Sequence, residues 1–197
     1  MLSPNFVILG AIISFLGGLD YVINTLRGKT RPNRVTWLMW TLAPMIAFAA
    51  EIHQGVGLRS LMTFMVGFNP LLVFVASFVN TKATWKLTKF DFACGVLSLL
   101  GLLLWLLSGQ GNIAILFSIV ADALAALPTI VKSYSHPESE SWLVFLGGGL
   151  AAGITLLTIK AWTFANYGFP LYILLVCLVL ISLIRFKFGK RLNSISV

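Results

Sequence analysis

Charge is what this sequence has least of. Only 10% of its 197 residues are Asp, Glu, Lys or Arg, 58% are hydrophobic, and the mean hydropathy is +0.95. Soluble domains carry roughly 25% charged residues, so a water-facing surface of ordinary composition is excluded and the chain reads as an integral membrane protein. Cysteine is scarce too. Cys94 and Cys177 both fall in apolar stretches, where a thiol behaves as a small apolar group, and no structural disulfide is expected. No Lys or Arg precedes Arg27, so the first apolar stretch lacks the basic region of a cleaved leader and is expected to remain in the mature protein. Catalytic signatures are missing as well: there is no H-E-x-x-H and no G-x-S-x-G, and the two histidines, His53 and His136, lie between apolar stretches. Gly18-Leu19-Asp20 is not the GxGD of intramembrane aspartyl proteases, and a retinal protein would need a lysine in its seventh span, where 167–184 has none. The expectation is no enzyme, no catalytic or metal-binding residues and no cofactor.

What the chain does have is long apolar stretches. A span of about 18 to 20 residues matches a hydrocarbon core about 30 Å thick, and seven can be drawn, at 6–26, 35–50, 61–79, 92–107, 113–131, 142–159 and 167–184. The connections are short and leave no soluble domain over. The net charge of +8 would suit nucleic acid, but the charges bracket the spans instead of forming a patch, and nucleic acid is excluded as a partner. On one side lie Arg27, Lys29, Arg31, Arg34, Lys82, Lys86, Lys89, Lys132, Arg185, Lys187, Lys190 and Arg191; on the other only Arg59 and Lys160. The positive-inside rule then puts the C-terminus in the cytoplasm and, with seven crossings, the N-terminus outside, in a plasma (inner) membrane.

Two segments 105 residues apart follow one plan without a gap. GGLDYVINTLRGKTRPNRVTW and DALAALPTIVKSYSHPESESW each run from an apolar helix through a basic exit and a loop proline to tryptophan, pairing Arg27 with Lys132, Pro32 with Pro137 and Trp37 with Trp142. Duplication in a membrane protein points to two bundles enclosing a central site. The fold expected is all-α: seven transmembrane helices arranged as two parallel three-helix repeats joined by a linker helix. Its parts are a first bundle at 1–80, a linker region with helix four at 81–109, and a second bundle with a basic cytoplasmic tail at 110–197. Pro44, Pro70 and Pro128 lie inside spans, where each removes a backbone hydrogen bond and kinks the helix, and they are the candidate hinges. Gly17 with Gly18, and 147–149, permit close helix approach.

An ionisable side chain within a span costs at least about 2.5 kcal/mol and so faces a cavity or a partner. Asp20 and Asp122 are the candidates, Asp122 about 14 Å past the start of its span and thus near the midplane. Asp20, Asn24 and Arg27 share one helix face. Ser118, Asp122, Ala125, Thr129 and Lys132 form the corresponding stripe on the fifth span. Trp40, deeper than Trp37 and Trp142, is a candidate wall for a flat solute, whereas Trp37 and Trp142 at span ends are expected to anchor at the membrane interface. Asn69, beside Pro70, offers a midplane amide that both donates and accepts. The second hairpin carries Glu138 and Glu140 opposite the basic first hairpin, and ion pairs between the two would close an inner gate.

A proline near the inner end of the first helix of a unit, a short cytoplasmic loop and the 3-1-3 layout together resemble the PQ-loop superfamily, in particular SWEET-type sugar transporters. Pro128 takes the place of that family's proline, followed by Thr129 where glutamine is usual, and its counterpart in the first copy is Ile23. The resemblance implies hinge prolines at Pro44 and Pro128 and substrate contacts at Trp40 and Asn69. Nicotinamide riboside carriers share the 3-1-3 plan and a WxxW signature, which WLMW at 37–40 echoes. The function expected is transport of a small polar solute, sugar-like or a related metabolite, by alternating access at a midplane site made by Asp122, Trp40, Asn69, Asn24, Asp20, Ser118 and Thr129. The expected partners are the bilayer and a small-molecule substrate, with proton coupling and homo-oligomerisation left open. The rivals are a receptor or sorting protein on the same scaffold and a carrier of nucleoside-type vitamin precursors.

Overall fold

The computed structural model describes residues 2–80, 85–108 and 111–189. Lys82 of the linker and Lys190 and Arg191 of the basic tail lie outside the described residues. The described chain is helical, without strands: α1 Phe6–Leu26, α2 Arg34–His53, α3 Ser60–Val79, α4 Lys89–Ser108, α5 Gly111–Ser135, α6 Trp142–Leu157 and α7 Phe164–Arg185. Five helical segments are long and apolar enough to cross a membrane: α1, α2, α3 together with the 3-10 turn before it, α5 and α7. At 16 residues α6 is shorter and equally apolar. The chain is a membrane-embedded helical protein.

The helix boundaries follow local chemistry. α1 ends because Gly28 takes φ +75°, a left-handed conformation easy only for glycine, and the Lys29 N–H folds back to the Asn24 carbonyl at 2.8 Å. α2 starts at Asn33, whose Oδ1 accepts from the N–H groups of Val35 and Thr36 at 3.1 and 3.3 Å. The same buried amide donates to Asp91 Oδ1 at 2.6 Å, and Asp91 Oδ2 accepts from the Thr88 N–H at 2.5 Å and from its hydroxyl at 2.7 Å. One cap thereby ties the start of α4 to the start of α2. Prolines sit inside α2 (Pro44), α3 (Pro70), α5 (Pro128) and α7 (Pro170), and all four are buried.

Packing repeats between the two ends of the chain. Among the first three helices, α3 lies between α1 and α2 and touches both; among the last three, α7 lies between α5 and α6 in the same way. Across the molecule α1 packs on α6 and α2 on α5, while α4 lies against α5 and the edge of α2. The α1 and α6 backbones are in direct contact. A Cβ added to Gly17 would lie 2.7 Å from the Leu143 carbonyl oxygen, and one added to Gly147 would lie 2.9 Å from that of Ile13. Only glycine admits this approach.

Candidate functional site

A cavity of about 70 Å³ lies where the two sets of three helices meet. Its walls include Ser14 of α1, Trp37 and Trp40 of α2, Asn69 and Pro70 of α3, Asp122 of α5, Phe145 of α6 and Cys177 of α7, so every helix except α4 contributes. It brings together Asp122, Trp40 and Asn69 from the residues expected to bind solute, together with Pro70 from the expected hinges.

Asp122 is 2% exposed. Its Oδ2 accepts from the Tyr172 hydroxyl of α7 at 2.6 Å, its backbone carbonyl accepts from Trp40 Nε1 at 3.3 Å, and its Oδ1 has no hydrogen-bond partner. Asn69 Nδ2 donates to both the carbonyl and the hydroxyl of Ser14, at 2.9 and 3.0 Å. A carbonyl only accepts, which fixes the orientation of the amide. Its Oδ1 is also without a partner and lies against Gly18, where an added Cβ would come within 2.8 Å of it. In both halves, then, the third helix reaches back to the first, through Asn69 to Ser14 and through Tyr172 to Asp122.

Aromatic rings connect this cavity to the basic end of the molecule. Tyr21 packs on Trp37 at 4.6 Å between centroids, Trp37 on Trp40 edge-on at 5.3 Å, and Trp40 on Phe145 edge-on at 6.0 Å. Trp40 and Phe145, 105 residues apart in the chain, meet edge-on at the cavity. Trp37 is a correction. It is 1% exposed and lines the cavity instead of anchoring at an interface, because Tyr21 and Trp40 enclose it. Trp142 is half-buried under the Arg185 guanidinium, 5.5 Å from its ring.

At the basic end Glu140 takes a different partner from the one expected. Glu140 forms a fully buried ion pair with Lys132 of its own half, and the Tyr21 hydroxyl of the other half donates to Glu140 Oε2 at 2.5 Å. Lys132 Nζ also donates to the Arg31 carbonyl at 2.7 Å, and the Arg31 N–H donates to the Ser139 carbonyl at 2.9 Å. Arg31 of the first hairpin thus meets the second half through its backbone groups, and Tyr21 of α1 reaches Glu140 through its phenol.

The remaining expected site residues lie apart from the cavity wall. Ser118 and Thr129 are buried on the Asp122 stripe, and their hydroxyls have no partner. Asp20 and Asn24 are half-buried at the basic end: Asp20 Oδ2 accepts from Asn24 Nδ2 at 2.9 Å and from the Ser141 hydroxyl at 2.8 Å. Pro44 and Pro128 are buried within their helices outside the cavity lining. The sequence reading missed Glu51. It is buried near the opposite end of α2, with Thr63 donating to Oε1 at 3.0 Å and Oε2 unpartnered. Tyr172 and Ser14 were missed as well, because a hydroxyl gives little signal until its partner is placed. Among the described residues no cluster of His, Cys, Asp and Glu could hold a metal ion. No family model, no curated protein and no solved structure matches the chain.

Proposed function

We propose that the chain is a transporter of a small polar solute, built from two parallel three-helix repeats joined by α4 and related to the PQ-loop and SWEET-type architecture. The observation that carries this reading is the cavity between the two halves, where buried Asp122 and Asn69 each keep an unpartnered acceptor oxygen beside the rings of Trp40 and Phe145. Buried polar atoms normally have partners, and a solute bearing hydrogen-bond donors supplies them. Two further features support the repeat: the third helix lies between the first and second in each half, and the cross-pairs α1 with α6 and α2 with α5 exchange under one twofold relation. Corresponding helices begin at Phe6 and Gly111, Arg34 and Trp142, Ser60 and Phe164, at nearly constant spacing.

In this mechanism the Lys132 and Glu140 pair, with Tyr21, closes the basic end, and solute is released there when the halves rock apart. The helices that carry Pro44, Pro70 and Pro128 take up the motion. The reading adopts a plasma (inner) membrane with the C-terminus in the cytoplasm, from the twelve-to-two distribution of basic residues. The test is flux into proteoliposomes, with sugars, amino acids and nucleosides first screened by thermal shift. The expected result is saturable uptake, reduced by Asp122→Asn and by Trp40→Ala. Saturable binding without net flux would favour a receptor or sorting protein, and unchanged flux in Asp122→Asn would remove this site from the mechanism.

A further inference from the structure

The cavity contains one formal charge and nothing to balance it. No Lys, Arg or His is among its lining residues, and the nearest basic side chain on the same helix stripe, Lys132, is committed to Glu140 and the Arg31 carbonyl. The carboxylate oxygen Oδ1 of Asp122 has no donor at all, and Oδ2 has one neutral phenol. A buried carboxylate in that position is electrically incomplete. Positive charge must reach it, either as a proton or as a cation bound beside it.

Resting on the transporter reading, we propose that the solute is a small organic cation bearing N–H groups, an amidinium or ammonium, and that it exchanges with a proton on Asp122 Oδ1. The balance is simple. The proton leaves Oδ1 as the N–H of the cation donates to it, no covalent bond to the solute is made or broken, and the charge within the cavity is the same before and after. The walls suit such a guest. Trp37, Trp40 and Phe145 are the aromatic lining, and ring faces attract cations. Asn69 Oδ1 is a second acceptor, whereas an anion would meet Asp122 with no compensating cation. The titratable groups facing Asp122 are few: Tyr172 and Cys177, both on α7. From α2 comes the indole N–H of Trp40 to its carbonyl, and from α4 the Ser98 hydroxyl to the neighbouring Ala121 carbonyl. None of these supplies a fixed positive charge.

The experiment uses acetamidinium, acetamide and acetate, which share one planar shape and differ in charge, with the purified full-length protein in detergent. Binding is read by tryptophan fluorescence and thermal shift, and proton exchange by release into weakly buffered solution. Acetamidinium is expected to bind at least about tenfold more tightly than acetamide, with acetate weakest. Its apparent affinity should fall by up to about tenfold per pH unit as acid refills Oδ1, and wild-type protein should release protons when it binds. Asp122→Asn should erase both the charge order and the proton release, and Asp122→Glu should restore the order in part. The proton measurement on the wild type needs no variant to fold. Equal binding of acetamide, pH-independent binding, proton release without Asp122, or no binding of acetamidinium overturns the assignment. Uptake into proteoliposomes is scored separately: cation-selective binding without flux refutes transport and leaves the site assignment standing, whereas flux of neutral or anionic solutes with no preference for cations refutes the assignment and leaves transport standing.

Discussion

Glu140→Gln changes one oxygen for an amide and should cost far more than its size suggests. Lys132 and Glu140 are 1% and 0% exposed at their side chains, so the substitution leaves an ammonium in a dry site with no counter-charge, held by the Arg31 carbonyl and the Trp85 ring 5.1 Å away. Breaking a buried pair on one side typically costs about 3 to 5 kcal/mol, against about 0 to 1 kcal/mol for an exposed pair. Lys132→Met should cost a similar amount, since it strands the Glu140 carboxylate with the Tyr21 phenol alone. The double variant Lys132→Met with Glu140→Gln removes both charges and keeps an acceptor for Tyr21. It should therefore be much more stable than the sum of the singles, with a coupling of about 2 kcal/mol or more. Thermal unfolding of the four proteins in one detergent gives the cycle directly. Single losses below about 1 kcal/mol, or strict additivity, would show that the pair is hydrated and would refute its proposed part in closing the basic end.

Gly17→Val should strip α6 from α1 and lower stability by about 1 to 3 kcal/mol or more, because a Cβ there already meets the Leu143 carbonyl oxygen at 2.7 Å; Gly153→Ala, with nothing within 4 Å, is the matched control and should leave thermal unfolding unchanged. Asn33→Asp keeps the cap of α2 but sets a second carboxylate against Asp91, where the amide now donates at 2.6 Å; it should destabilise at neutral pH and recover in acid, and a pH-independent loss in a melting series would count against the Asn33 to Asp91 bond. Thr63→Val should cost about 1 to 3 kcal/mol by leaving buried Glu51 without its one hydroxyl donor, and adding Glu51→Leu should recover much of it in the same melting assay.

Seven helices were legible because hydropathy and length settle them. The span drawn at 6–26 is α1 as found, and the others differ by a few residues at their ends. Those few residues matter. Stretches drawn at 35–50 and 92–107 stop one position short of Glu51 and Asp91, since the first charge marks a hydropathy boundary. A helix does not stop there, because its backbone groups remain bonded inside the fold. Both carboxylates proved to be buried in α2 and α4. Periodicity correctly grouped Ser118, Asp122, Thr129 and Lys132 on one buried face of α5, but no pattern in a sequence says that Tyr172 reaches Asp122 or that Tyr21 reaches Glu140, 119 residues away. Trp37 was misread because depth along a helix says nothing about which neighbour covers a ring. The meeting of Trp40 with Phe145 was legible only as a matched position in the two segments, and the contact itself is made between two long rings on opposite walls of the cavity.

The four rings from Tyr21 to Phe145 form a linkage with detents. Two of the three contacts are edge to face and one is tilted, and rings packed in this way sit in one arrangement or hop to another, as closely packed interiors do. The phenol that holds Glu140 at one end and the indole that walls Asp122 at the other are therefore parts of one train. In the proposed cycle, departure of Tyr21 from Glu140 would take one of the two rings that enclose Trp37. In the proposed transport cycle this train would carry the state of the basic end to the cavity as a discrete step.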